Sequence, residues 1–140
     1  MRVRAGDTFI LTRATGPTPH LWVVLWGPAG TSDAYLMVHL ATMKPHLDQR
    51  VVIRPGEHPF ILRDTGVAYG DARRTTGAKL EEALRTREAI RKQPVSPPLL
   101  DTIRDGLLTS PRTPHAIRRM AIEEFGARDP DHDLSAHVSS

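Results

Sequence analysis

The stretch Arg50-Val51-Val52-Ile53-Arg54-Pro55-Gly56-Glu57-His58-Pro59-Phe60-Ile61-Leu62-Arg63-Asp64-Thr65-Gly66-Val67-Ala68-Tyr69-Gly70-Asp71-Ala72 sets the fold class. It holds three short apolar runs, Val51–Ile53, Phe60–Leu62 and Val67–Tyr69. Two turn signals separate them, Pro55-Gly56 and Asp64-Thr65-Gly66. Apolar runs punctuated this closely read as a tight antiparallel meander.

Upstream of it the chain stays β-like. Asp7 to Thr12 reads as a first strand, and Arg13 to Pro19 as a loop. His20-Leu21-Trp22-Val23-Val24-Leu25-Trp26 is the most apolar run, with the near-continuous apolarity of a strand buried on both faces. Trp22 and Trp26 then fall on one face, as a shared piece of core or as a groove wall. After a Gly27–Asp33 loop, Tyr35 to Leu40 alternates, with Leu36, Val38 and Leu40 on one side and Tyr35, Met37 and His39 on the other. Strands this short must close up or hide their edges. The expectation is a mostly β fold with a C-terminal α part: a small SH3-like barrel of about five or six antiparallel strands, with an OB-like barrel or a β-sandwich as the competitors.

Downstream the pattern turns helical, giving two to three helices. Arg73–Gly77 reads as a basic turn. Lys79 to Gln93 reads as one helix, with Leu80, Ala83, Leu84 and Ile90 as its apolar stripe and Glu81–Arg85 and Glu88–Lys92 as its i,i+4 pairs. Ser96-Pro97 is a helix start, followed by Leu99, Leu100, Ile103 and Leu107 on one face. Thr113-Pro114 repeats the start signal, and Gly126 is a natural stop. The reading is one domain over 1–126 and a poorly ordered tail over 127–140.

Composition narrows the chemistry. The 140 residues include no Cys, which removes disulfides and thiolate metal sites. The net charge of +3, from 19 Lys plus Arg against 16 Asp plus Glu, is compatible with phosphate-rich partners but fits an ordinary solvated surface better. No apolar run resembles a signal peptide or a membrane span, so a cytoplasmic protein without membrane contact is expected. A phosphate-cradling Gly-rich loop, a nucleophile elbow and a dinucleotide fingerprint are all missing. His39, His46 and His58 with Asp48 or Glu57 form no tight metal-ligand spacing, and no cofactor is expected.

The order of features resembles the MazF/PemK-like toxins of bacterial toxin–antitoxin pairs. Gly6-Asp7 opens the first strand as that family's Gly-Asp does. Leu21–Leu25 is similar to its apolar second strand, and Val38-His39-Leu40-Ala41-Thr42 to its third, which ends in a catalytic Thr or Ser. Val67–Ala72 and the helix with Leu99-Leu100, Ile103 and Gly106-Leu107 are similar to its closing strand and C-terminal helix. Pro55–Ile61 looks most like PemK-like proteins of prophages. The family carries Arg-Pro before the second strand, where this chain has Thr18-Pro19-His20.

The resemblance implies a homodimeric, metal-independent endoribonuclease acting on single-stranded RNA and held by an antitoxin peptide. Such cleavage needs a base for the 2′-hydroxyl, a proton for the leaving oxygen and a cation for the phosphate. The residues expected to carry it are His20 and Thr42 as catalytic groups, with Arg13, Lys44, Arg54 and Trp22 on the RNA. Thr42 is alternatively a turn cap, and His58 a structural turn residue. Two other readings stay open: a non-enzymatic SH3-like module binding a peptide or nucleic acid, and a phage-type assembly protein using the helices from Ser96 to Phe125.

Overall fold

A computed structural model describes residues 2–12, 19–30, 32–44 and 50–130. The described strands are β1 (Thr8–Leu11), β2 (Leu21–Trp26), β3 (Ala34–Thr42), β4 (Thr65–Val67), β5 (Arg73–Thr76) and β6 (Ala89–Lys92). The helices are α1 (Gly77–Arg85), α2 (Pro97–Thr109) and α3 (His115–Glu123). All strand pairs are antiparallel, in the order β4-β3-β2-β1-β6, with β5 also on β3. Among the described residues the result is a mixed fold of six strands and three helices whose sheet does not close into a barrel.

The alternating pattern of β2 and β3 divides the core in two. Leu21, Val23, Leu25, Leu36, Val38 and Leu40 point to one face, which α2 covers with Leu99, Ile103 and Leu107. Trp22, Val24, Tyr35 and Met37 point to the other, which α1 covers with Leu80. The continuous apolarity of 20–26 thus has its expected cause, burial of β2 on both faces.

Trp22 and Trp26 do not share a face. The β2–β3 register shifts between Val24 and Trp26, so Leu25 is an extra residue and the alternation flips. Trp26 packs on the α2 side, under the Arg104 guanidinium 5.3 Å from its ring.

Three further expectations are corrected. Phe60–Leu62 is not a strand, and Val51–Ile53 contributes a single bridge, Ile53 to Thr65. The expected strand at Val67–Tyr69 lies earlier, as β4, and Tyr69–Asp71 is a 3-10 turn. Arg73–Thr76 is a strand rather than a basic turn.

The expected helix to Gln93 stops at Arg85, and β6 follows it. Arg87 adopts the left-handed conformation at φ 64°, a position usually given to glycine, so the sequence carries no stop signal there. Arg85 pairs with Glu82 at 2.5 Å instead of with Glu81. Pairing of residues 89–92 with β1 satisfies an otherwise open sheet edge, and that tertiary gain outweighs local helix propensity. Asp7 holds the junction: its Oδ2 accepts from the Arg4 N–H at 2.9 Å and from Arg91 Nη1 at 2.7 Å.

The expected helices after Ser96 and Pro114 are present as α2 and α3. The Ser96 hydroxyl caps α2 by accepting from the Leu99 N–H at 3.3 Å. Of the expected tail, residues 131–140 lie outside the described residues.

Candidate functional site

Strand β3 has two different partners along one edge. Its first half pairs with β5 and its last third with β4. Between those partners the chain makes the 3-10 turn Tyr69–Asp71, opposite His39, whose carbonyl accepts from the Ala68 N–H at 2.9 Å. This interruption brings a carboxylate to the strand: Asp71 Oδ2 lies 2.9 Å from His39 Nε2.

The turn is anchored from below. Tyr69 is 1% exposed and its hydroxyl donates to the Ile103 carbonyl of α2 at 2.9 Å. Gly106 makes the approach feasible, because a methyl group there would collide with the Tyr69 hydroxyl. The placement of Asp71 therefore depends on packing between the sheet and α2.

An open groove of about 670 Å³ lies over this arrangement, lined among others by His20, Trp22, His39, Asp71, Arg73 and Lys79. His20 stacks on His39 with ring centroids 4.4 Å apart and planes at 26°. His39 in turn tilts against Trp22, at 4.9 Å and 59°. The Arg73 guanidinium sits over the Trp22 ring, 4.3 Å from its centroid. Trp22 is only 4% exposed, so it serves as the platform that holds Arg73 and not as an open stacking surface.

The two histidines have different freedom. His39 faces acceptors with both ring nitrogens, Asp71 Oδ2 at Nε2 and the Leu40 carbonyl 3.4 Å from Nδ1. His20 lies near the same Leu40 carbonyl, which acts to raise its pKa. Burial pushes the His20 pKa below its ordinary 6.5, and the neighbouring His39 charge pushes the same way. The direction of this shift favours the neutral imidazole of His20 where it lines the groove.

Of the residues expected to act, His20 and Trp22 line this groove. Thr42 is exposed and lines a neighbouring groove that shares His20 with the first. Lys44 is exposed, and its charge lowers the His20 pKa. Arg54 lines neither groove, and its guanidinium faces Asp64 at 3.6 Å. Arg13 and His46 lie outside the described residues.

His58 is a turn residue, 4% exposed. Its Nδ1 accepts from the Phe60 N–H at 3.0 Å, and its Nε2 donates to the Gln93 carbonyl at 2.5 Å. Glu57 accepts from the Arg54 N–H at 2.6 Å, so no Glu57–His58 dyad forms.

Asp71, Arg73 and Lys79 are charged groove residues that sequence reasoning did not assign to the site. Arg73 lay in what read as a basic turn, and Asp71 at the end of an expected strand. The alternation of 35–40 set His39 on the face of Tyr35 and Met37, which in the structure is also the face of Trp22.

Among the described residues no group of three or more His, Cys, Asp or Glu is arranged to hold a metal ion. No described helix is long and apolar enough to cross a membrane. In comparison with known proteins, no family model, no curated protein and no solved structure matches the chain.

Proposed function

We propose that the protein is a toxin-type endoribonuclease of the PemK/MazF kind, acting on single-stranded RNA without a metal ion. One observation carries this: an unprotonated-leaning His20, stacked on a His39 braced by Asp71, shares an open groove with Arg73 held over Trp22. A neutral imidazole beside a fixed guanidinium is what attack by a 2′-hydroxyl on its own phosphodiester requires.

In this reading His20 takes the 2′-hydroxyl proton. Arg73 neutralises the charge that develops on the phosphate, with Lys79 on the same groove wall. His39 and Asp71 position His20 and set its basicity. Solvent in the open groove supplies the proton for the leaving 5′-oxygen.

The SH3-like description belongs to this proposal, as a β1–β2–β3 meander whose long third strand pairs with two partners in succession. A homodimer, an antitoxin peptide as partner and a cytoplasmic location belong to it also. Thr42 then contributes from the neighbouring groove.

The test is induced expression in a bacterial host, following growth and RNA integrity for the wild type and His20→Ala. Growth arrest with discrete RNA fragments, lost in the variant, supports the proposal. Arrest that persists in His20→Ala with intact RNA favours the non-enzymatic binding module.

A further inference from the structure

His20 stands on a ridge between two grooves. The second, of about 540 Å³, opens between the end of β3 at Leu40–Thr42 and the loop 59–63. The two linings differ in chemistry. The first carries Arg73, Lys79 and Asp71. The second is walled by Pro19, Leu40, Phe60 and Leu62, with Thr42 and Arg63 as polar groups. A charged trough joined to an apolar slot matches the two halves of a nucleotide, the sugar-phosphate and the base.

We propose that the second groove is a nucleobase subsite. It takes an unpaired base of the same strand whose phosphodiester lies at His20. The base face rests on Phe60 and Leu62, and the Thr42 hydroxyl reaches its edge. The inference rests on the RNA reading of the first groove and deepens it, because it locates the origin of any sequence preference.

The loop is built to present this wall. Ile61 is 4% exposed and packs in the main core, while its neighbour Leu62 is 82% exposed. His58 ties the loop down: it accepts from the Phe60 N–H, donates to Gln93, and its carbonyl accepts from the Ile61 N–H at 2.9 Å. Beyond Leu62, Thr65 and Ile53 exchange backbone hydrogen bonds at 2.7 and 2.8 Å. Leu62 is therefore held out in the solvent by a loop fixed on both sides. Leu62 and the half-buried Phe60 together give this groove a contiguous apolar wall. Continuity through His20 selects RNA as its occupant.

The experiment uses a short single-stranded oligonucleotide with 2′-O-methyl riboses, which removes the attacking hydroxyl, and with 2-aminopurine among its bases. Wild type, Phe60→Leu, Leu62→Asp and Thr42→Val are compared. Phe60→Leu keeps apolar volume in a half-buried position, and Leu62→Asp alters a side chain whose exposure leaves folding intact. We expect the wild type to quench 2-aminopurine emission on binding. Phe60→Leu and Leu62→Asp should weaken binding by roughly five- to a hundredfold, the scale of one lost base stack, and relieve the quench. Thr42→Val should change which base is preferred.

Equal binding and equal quench by wild type and Phe60→Leu would overturn the subsite, as would wild type that binds none of these oligonucleotides. So would a Leu62→Asp variant that dissociates into monomers while binding RNA normally, since a second copy would then occupy the groove. An all-ribose oligonucleotide separates the two claims. Quenched binding without cleavage keeps the subsite and defeats the catalytic reading. Cleavage unaffected by Phe60→Leu and Leu62→Asp defeats the subsite alone.

Discussion

Asp71 Oδ2 lies 2.9 Å from His39 Nε2, joining a 3-10 turn to the strand it interrupts. The His39 side chain is 10% exposed and the Asp71 side chain 68%. One end of the pair is thus fixed in the sheet and the other stands in the groove. Removing the carboxylate frees the ring on which His20 stacks. Asp71→Asn should reduce RNA cleavage about tenfold or more, the scale of losing one charge-assisted hydrogen bond on His39. Circular dichroism should remain unchanged. An unchanged rate would remove Asp71 from the site.

The pH profile tests the assignment of His20 as base. Its pKa lies below 6.5, so kcat/KM should rise with pH along an acid limb centred below that value. His39 lowers the His20 pKa and Asp71 raises it. His39→Gln should therefore move the limb to higher pH, and Asp71→Asn to lower pH. Limbs that move together, or an acid limb above 6.5, would contradict the assignment.

The same shift has a sign for stability. Unfolded His20 takes up its proton at about its ordinary 6.5, and folded His20 only below that. The contribution is thus complete above 6.5 and is lost as pH falls through the folded value. On acidification through this window the wild type should lose more thermal stability than His20→Gln. Parallel melting curves would show that His20 does not titrate as described.

The cation assignment separates Arg73 from Arg54. Arg73→Ala removes the guanidinium held over Trp22 and should lower kcat for RNA cleavage about tenfold, the scale of one charge-assisted hydrogen bond. Arg54 faces Asp64 outside both grooves, so Arg54→Ala should stay within about twofold of wild type. Equal effects from the two would mean diffuse charge attraction and not a clamp.

Gly106 tests the support beneath the turn. A methyl group there meets the Tyr69 hydroxyl, so Gly106→Ala should cost about 1–3 kcal/mol by overpacking. It should also reduce cleavage, because Asp71 belongs to the same turn. Denaturant unfolding measures the first effect. Full stability in the variant would show that the turn is not packed on α2 as described.

Strands β1 to β3 were legible because β2 is apolar almost throughout and β3 alternates around two faces. The residues that the sequence misassigned share a cause, competition settled by tertiary pairing. Glu88–Lys92 looks helical because its charges are spaced for a helix, yet the edge of β1 recruits it. Nothing local marks the bulge at Leu25 that separates Trp22 from Trp26. His20 was recognisable as a histidine at a loop–strand junction. Asp71 and Arg73 join it only because the partner strand of β3 breaks opposite His39.

The most direct measurement is incubation of purified protein with mixed single-stranded RNA in excess EDTA, alongside His20→Ala. The account predicts discrete fragments ending in 2′,3′-cyclic phosphate for the wild type, with the rate falling about 10²- to 10⁴-fold in the variant. Intact RNA at high protein concentration, or equal cleavage by His20→Ala, would contradict it.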